Sequence, residues 1–283
     1  MIADYLAARD VDGAAQIVEQ NRKVVLIDDQ WQNLARWLDR LPAEVKQQRT
    51  ELLLAQAWIL WARLDLELFP SILEALEEAL AREGASDPVQ GEMDFFRGYL
   101  AYFQALGPQA EEYHASATQR IPETYYTARW EAELHYALAR HMNGRGEMAV
   151  DRLTDLLRSR RVSRGISRSR LWAGLCFIHL LEGNLPESIH PAQRMQDLAA
   201  ADKSRLVETW ASYLETSVHY RWNDLERAVR YFNELAEQPY TMDTTVVVDV
   251  LCALSLAYQH LQRSDQADET VRRLLGLTRQ ASV

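Results

Sequence analysis

The sequence predicts an all-α chain, a right-handed superhelical solenoid of antiparallel helix pairs repeating about every 40 residues. Three observations carry that prediction. Apolar residues recur at i, i+3/i+4 and i+7, as in Leu225, Ala228, Val229, Phe232 and Leu235, which is the period of one helix face. The apolar runs come in twos, divided by short turns such as Gly107-Pro108, Gly146-Glu147, Gly183-Asn184, Asn223-Asp224 and Ser264-Asp265. A small residue then follows each turn. Ala110, Ala149, Ser188, Ala228 and Ala267 stand at intervals of 39, 39, 40 and 39, and Phe69 extends the series back by 41. Unrelated helices have no reason to keep step, and one amphipathic pair cannot bury both its faces, so the units must stack.

A single domain over 1–283 is expected, with atypical helices in 1–43 and about six pairs in 44–279. The first part reads as Ile2 to Arg9, a turn at Asp10 to Gly13, and Ala14 to Ile27 with Ile17, Val18, Val24 and Val25 inward. A further helix, Trp31 to Leu41, stops at Pro42. The pairs are then 44–63 with 67–83, 87–106 with 109–120, 123–143 with 147–159, 167–182 with 186–201, 204–222 with 224–237, and 243–262 with 265–279. Asp87-Pro88, Ile121-Pro122 and Gln238-Pro239 mark unit boundaries. Pro70 and Pro186 suit first turns, whereas Pro191 predicts a late start or a kink. Asn223 or Asp224 is expected to cap the helix that follows it. Val246 to Val248 favours strand locally, but Asp249 to Tyr258 keeps the helical pattern, so the segment reads as helix. Val271, Leu274, Leu275 and Leu277 give the last helix an apolar face with little behind it. Such an end predicts either a longer parent protein or association through that end.

The net charge of −10 argues against phosphate neutralisation, so this segment is not expected to bind DNA directly. Cys176 and Cys252, each in an apolar helical run, read as buried reduced thiols. No basic-then-apolar leader and no 18-residue apolar run is found, which predicts a cytoplasmic protein without membrane contact. Phosphate loops, dinucleotide glycine motifs, nucleophile elbows and H-E-x-x-H are all missing, so neither an enzyme nor a cofactor is expected. The pairs Glu77-Glu78 and Glu111-Glu112 read as solvated faces. His179 and His219 both lie nine residues before their anchors, but no third ligand recurs with them, so no metal is expected.

Two features are candidates for binding. Aromatic and imidazole side chains gather on the first helices, which line the concave side of such superhelices: Trp61, Tyr102, Trp130, Tyr136, His141, Trp172, Tyr213 and Tyr220. Trp61, Tyr102, His141 and Tyr220 each stand eight residues before an anchor and should form a ladder. Packing between neighbouring units is the competing use of these side chains. The second feature is the run Arg158 to Arg170, whose Arg160, Arg161, Arg164, Arg168 and Arg170 can grip a phosphate or an acidic partner surface. The competing reading is a solvated linker.

Trp37-Leu38-Asp39-Arg40-Leu41-Pro42-Ala43-Glu44 resembles the W-L-x-x-L-P-x-E that opens the tetratricopeptide-type sensor region of large ATP-dependent LuxR-family (MalT-like, STAND class) transcriptional regulators. Leu53-Leu54-Ala55-Gln56-Ala57-Trp58 and His219 to Ala228 extend the resemblance, which covers essentially the whole chain. The resemblance implies a nucleotide switch before this region and a helix-turn-helix DNA reader after it. It further implies that the superhelix receives a small-molecule or peptide effector, or a regulatory protein, on its concave face. Both flanking modules are missing from this sequence, which leaves an excised sensor or a stand-alone relative. The alternative is a scaffold that mediates protein–protein or self-association through the groove or its open C-terminal end.

Overall fold

The small residues that set the repeat are where the helices meet. In a computed structural model, which describes residues 5, 7–27, 30–84, 86–159, 162, 166–237 and 244–280, Ala110, Ala149, Ser188 and Ala228 are fully buried and Ala267 nearly so. Each is the fourth residue of its helix. A larger side chain there would hold the paired helices apart, and an interval of about 40 residues is what returns the chain to the same place.

Among the described residues the chain is all helical. The helices are α1 (Val11–Ile27), α2 (Trp31–Leu38), α3 (Ala43–Gln48), α4 (Thr50–Arg63), α5 (Phe69–Glu83), α6 (Asp87–Phe103), α7 (Gly107–Arg120) and α8 (Tyr126–Met142). They continue as α9 (Gly146–Arg158), α10 (Ile166–Leu181), α11 (Leu185–Asp202), α12 (Arg205–Arg221), α13 (Leu225–Ala236), α14 (Thr244–His260) and α15 (Ser264–Gln280). By internal packing the chain divides into two units, Met1–Arg168 and Ser169–Val283.

In the first unit most successive helices pack on one another, and α1 reaches furthest along the chain, touching α2, α4 and α8. Its inward face is as expected at Ile17, Val18 and Val25 but not at Val24. Val24 is 59% exposed, whereas Arg22, one helical turn after Val18, is 1% exposed. Arg22 forks onto Glu92 of α6 (2.6 and 3.0 Å) and bonds Glu51 of α4 (2.6 and 3.0 Å). The Trp58 indole donates to the same Glu92 carboxylate at 2.6 Å. Burial works against the Arg22 charge, but the Glu92 and Glu51 carboxylates more than offset it and hold the guanidinium protonated. Around this pair lies an aromatic core, with Trp58 stacked on Phe95 and edge-on to Phe96, both at 5.1 Å.

The helix expected over 44–63 is broken. Arg49 takes an extended conformation between α3 and α4 and bonds Glu19 (2.7 and 3.0 Å) and Asp12 (3.2 Å) of the α1 segment. Pairing to α1 thus takes the place of helical continuity. The helix at Trp31 ends at Leu38, and Leu41 is buried in the turn after it. The expected helix before Asp10 lies partly outside the described residues. Asp10 itself caps the turn, its Oδ1 accepting from the Gly13 amide at 2.8 Å.

In the second unit each helix from α11 onward packs on the next, and α12 also meets α14, so first helices of adjacent pairs lie side by side. The segment from Val246 is helical, with Val246, Val247 and Val250 buried. Burial on a helix face has overridden the strand preference of β-branched residues. α11 starts on time at Leu185 and runs through Pro191, which removes the amide that would have bonded the Glu187 carbonyl. Asp224 makes no side-chain cap. Asn223 instead supplies a left-handed residue (φ 64°), and Gln262 does the same at the next turn (φ 59°).

The Cys176 thiol donates to the Ser188 carbonyl at 3.1 Å, and burial pushes its pKa up to about 12. Cys252 is only half-buried. Native protein at pH 8 is therefore expected to leave Cys176 unmodified by iodoacetamide until urea unfolds it, because the thiolate is the nucleophile. Peptide mapping that found Cys176 alkylated without denaturant would contradict this. Among the described residues no helix is long and apolar enough to cross a membrane.

Candidate functional site

The turns that carry the left-handed residues Asn223 and Gln262 face each other across a cleft of about 580 Å³. Tyr220, Arg221, Asn223 and Leu225 line it from the α12–α13 turn; Leu256, Ala257, Gln259, His260 and Gln262 line it from the α14–α15 turn. A left-handed residue closes each turn tightly, so the end of one helix and the start of the next lie side by side at the rim. The Tyr220 ring is fixed from behind by Phe232, 6.2 Å away. Leu256 is 55% exposed.

The cleft is lined by Arg221 and His260 within an acidic chain. Nearby guanidinium groups are engaged, Arg263 with Glu226 at 2.7 Å and Arg227 with Glu215 at 3.9 Å. Arg221 and His260 make no ion pair among the described residues. Both occupy one register position, seven residues before an anchor. At that position the earlier repeats carry Phe103, Met142 and Leu181, all exposed. The repeat thus changes from apolar to basic at its last two copies. Sequence reasoning had the anchors needed to find this, but followed only the neighbouring position.

The expected groove residues do not share one environment. Trp61 and Trp130 are packed inside the first unit, Trp61 edge-on to Trp58 at 5.2 Å and Trp130 3% exposed beside Tyr126 at 6.0 Å. Among the described residues the Trp130 indole N–H has no hydrogen-bond partner. Tyr102 is half-buried against Phe103 at 5.7 Å, and burial raises its phenol pKa. Tyr136 lies under the Arg140 guanidinium at 5.0 Å, and His141 and Trp172 are half-buried. Tyr213 donates to Asp249 at 2.6 Å, tying α12 to α14. Of the eight, only Tyr220 lines the cleft.

In the arginine run, Arg160, Arg161 and Arg164 lie outside the described residues. Arg168 donates to the Val162 carbonyl at 2.8 Å, which commits it to holding the segment before α10; Arg170 is half-buried. Glu77 and Glu111 are not simply solvated. Glu77 accepts from Arg97 at 2.6 Å, and Glu111 from Asn143 at 2.7 Å and from Arg145.

Three histidines are pushed below the usual imidazole pKa, His114, His179 and His219. Burial depresses His179 against the pull of Glu182 and Glu187. His219 is depressed by burial and by Arg227, against Glu215 and Asp224. In the first unit His114 is fully buried with no hydrogen-bond partner at either ring nitrogen among the described residues, and its ring rests on the Gly98 backbone, where a Cβ would come within 2.8 Å. His135 lies 5.5 Å away. Among the described residues no group of three or more His, Cys, Asp or Glu is placed to hold a metal ion.

No family model and no curated protein matches the chain. Solved structures do. A Rap protein complexed with competence and sporulation factor superposes with a TM-score of 0.68 at 13% identity, over 95% of this chain and 77% of that one. A STAND protein with a tetratricopeptide repeat sensor, from Pyrococcus horikoshii, gives 0.65 at 15% identity over 98% of this chain. This chain spans 43% of that protein. The apo form of RapI gives 0.50 at 12% identity, over 82% of this chain and 98% of that one. At these identities the likeness establishes the fold, that of tetratricopeptide-like helical repeats.

Proposed function

We propose that the chain is a non-enzymatic effector-sensing and protein-interaction region of a signal-transducing transcriptional regulator of the STAND type. It would bind a small effector, a peptide or a regulatory protein on the face formed by its first helices. The observation that carries this reading is the evenly spaced set of buried small residues at the fourth position of every second helix from α7 to α15. That spacing makes the pairs equivalent building blocks. The W-L-x-x-L-P-x-E segment and the likeness to a STAND repeat sensor support the regulator context. The reading implies a cytoplasmic protein that leaves DNA contact to another module.

An effector must favour one conformation over another to signal. Thermal unfolding and solution scattering of the full chain against a panel of sugars, metabolites and short peptides test this. A ligand at a hundredfold excess over its Kd should stabilise by about 2.7 kcal/mol and alter the scattering profile. Unchanged unfolding and unchanged profiles across the panel would count against a sensor. Val271 (37% exposed) and Leu275 (50%) on α15 favour one second reading, a scaffold that self-associates through its C-terminal end. Sedimentation over a concentration series would then show a dimer that Leu275→Glu abolishes, whereas a strict monomer removes that reading.

A further inference from the structure

We propose that α1 is a strap that closes the first unit's own binding face, and that an effector lifts it off by supplying a cation in place of Arg22. The assignment deepens the sensor reading and rests on it. The first helices α4, α6 and α8 lie side by side. Across them lies α1, packed on α4 and α8 and joined to α6 through Arg22. It stands where the sensor reading puts the effector.

Its hold on that face is mostly polar. The apolar side chains that α1 buries are Ala14, Ala15, Val18, Val25 and Leu26, whereas α4 beside it buries Leu52, Leu53, Leu54, Trp58, Ile59 and Trp61. Two of the α1 set are alanines, so docking removes little apolar area from water compared with a repeat helix. The rest is a row of charges. Arg22 meets Glu51 and Glu92, Arg49 reaches back to Glu19 (2.7 Å) and Asp12 (3.2 Å), and the Lys23 ammonium lies 3.6 Å from the Tyr125 ring. Val24 and Ile27 on the other side are exposed, so α1 leaves by giving up only α2 and the first helices.

A buried ion pair adds little net stability over apolar packing, because each charge must first lose its water. What it confers is an address. A neutral ligand on this face would bury the Glu92 carboxylate again without a counter-charge, and that is strongly disfavoured. Any ligand binds only the chains from which α1 is off, so its apparent affinity is reduced by that fraction.

The test combines hydrogen exchange on the full chain with a labelled peptide of residues 11–27. The α1 amides should exchange at least about a hundredfold faster than the slowest amides of α4 and α6, through an opening that leaves those helices protected. Asp12→Asn/Glu19→Gln, which removes the Arg49 clasp, should speed α1 exchange alone by about tenfold. The peptide should bind an Arg22→Gln chain at least about tenfold more tightly than the parent, and a peptide carrying the same change should lose that gain. Exchange of α1 in step with α4 and α6, an Arg22→Gln chain in which all three helices lose protection together, or equal binding of the two peptides would each overturn the strap. A panel ligand that alters the scattering profile with α1 protection unchanged would also overturn it and leave the sensor reading standing. Opening of α1 alone against a silent panel supports the strap and counts against the sensor.

Discussion

Glu92→Gln is expected to destabilise the first unit by about 3–5 kcal/mol, because it removes the main counter-charge from a guanidinium that water cannot reach. Arg22 and Glu92 are each 1% exposed or less. Glu51 stays within 2.6 Å of Arg22 but is itself partly solvated, so it cannot replace the lost partner. The double variant Arg22→Met/Glu92→Leu should recover much of the loss, since apolar packing of similar volume commonly substitutes for a buried ion pair. What it does not recover is the Trp58 indole, left without the acceptor that now lies 2.6 Å away, at about 1–3 kcal/mol. Urea unfolding followed by hydrogen exchange in α1, α4 and α6 reads this directly. A Glu92→Gln protein within about 0.5 kcal/mol of the parent would show that the pair is not what holds these three helices together.

Acid is expected to weaken the first unit well before its carboxylates protonate. Burial pushes the His114 imidazole well below its usual range, with repulsion from His135 adding to the effect and contact with the Gly98 backbone opposing it. In the unfolded chain His114 takes up a proton at about pH 6.5, whereas in the folded chain it does not until far lower. The unfolded state therefore binds more protons throughout that window, and stability falls as the pH drops below about 6.5, by on the order of 1 kcal/mol for each pH unit. His114→Leu fills the same space without titrating and should flatten the dependence between pH 6.5 and 5. The two proteins should then have similar stability near neutral pH and diverge on acidification. Parallel pH profiles for parent and variant would sink the account.

Repeat period and helix pairing were legible because they rest on the spacing of apolar and small residues, which packing enforces at Ala110, Ala149, Ser188, Ala228 and Ala267 alike. What escaped was governed by partners distant in sequence. The pattern of α1 favoured Val24 as a core residue, and nothing local marks Arg22 as buried; its partners arrive from Glu51 and Glu92, 29 and 70 residues away. Arg49 breaks a helix for the same kind of reason. The aromatic ladder was drawn from register alone. Register says where along a helix a residue stands, but the filling of the space beside it decides whether Trp61 or Tyr220 meets solvent. Arg221 and His260 were within reach, since the anchor count that placed Tyr220 places them one residue on.

The placement of Arg22 has a consequence for how the protein is made. At about 5–20 residues per second, the 70 residues that separate it from Glu92 take several seconds to leave the ribosome. Tyr125, whose ring sits 3.6 Å from the Lys23 ammonium, follows later still. Until Glu51 emerges the nascent α1 carries an unmatched cation, and until Glu92 follows its guanidinium has only one of its two partners. In the second unit, from α11 onward, the helices meet neighbours translated just before them, so that half of the chain can set as it emerges.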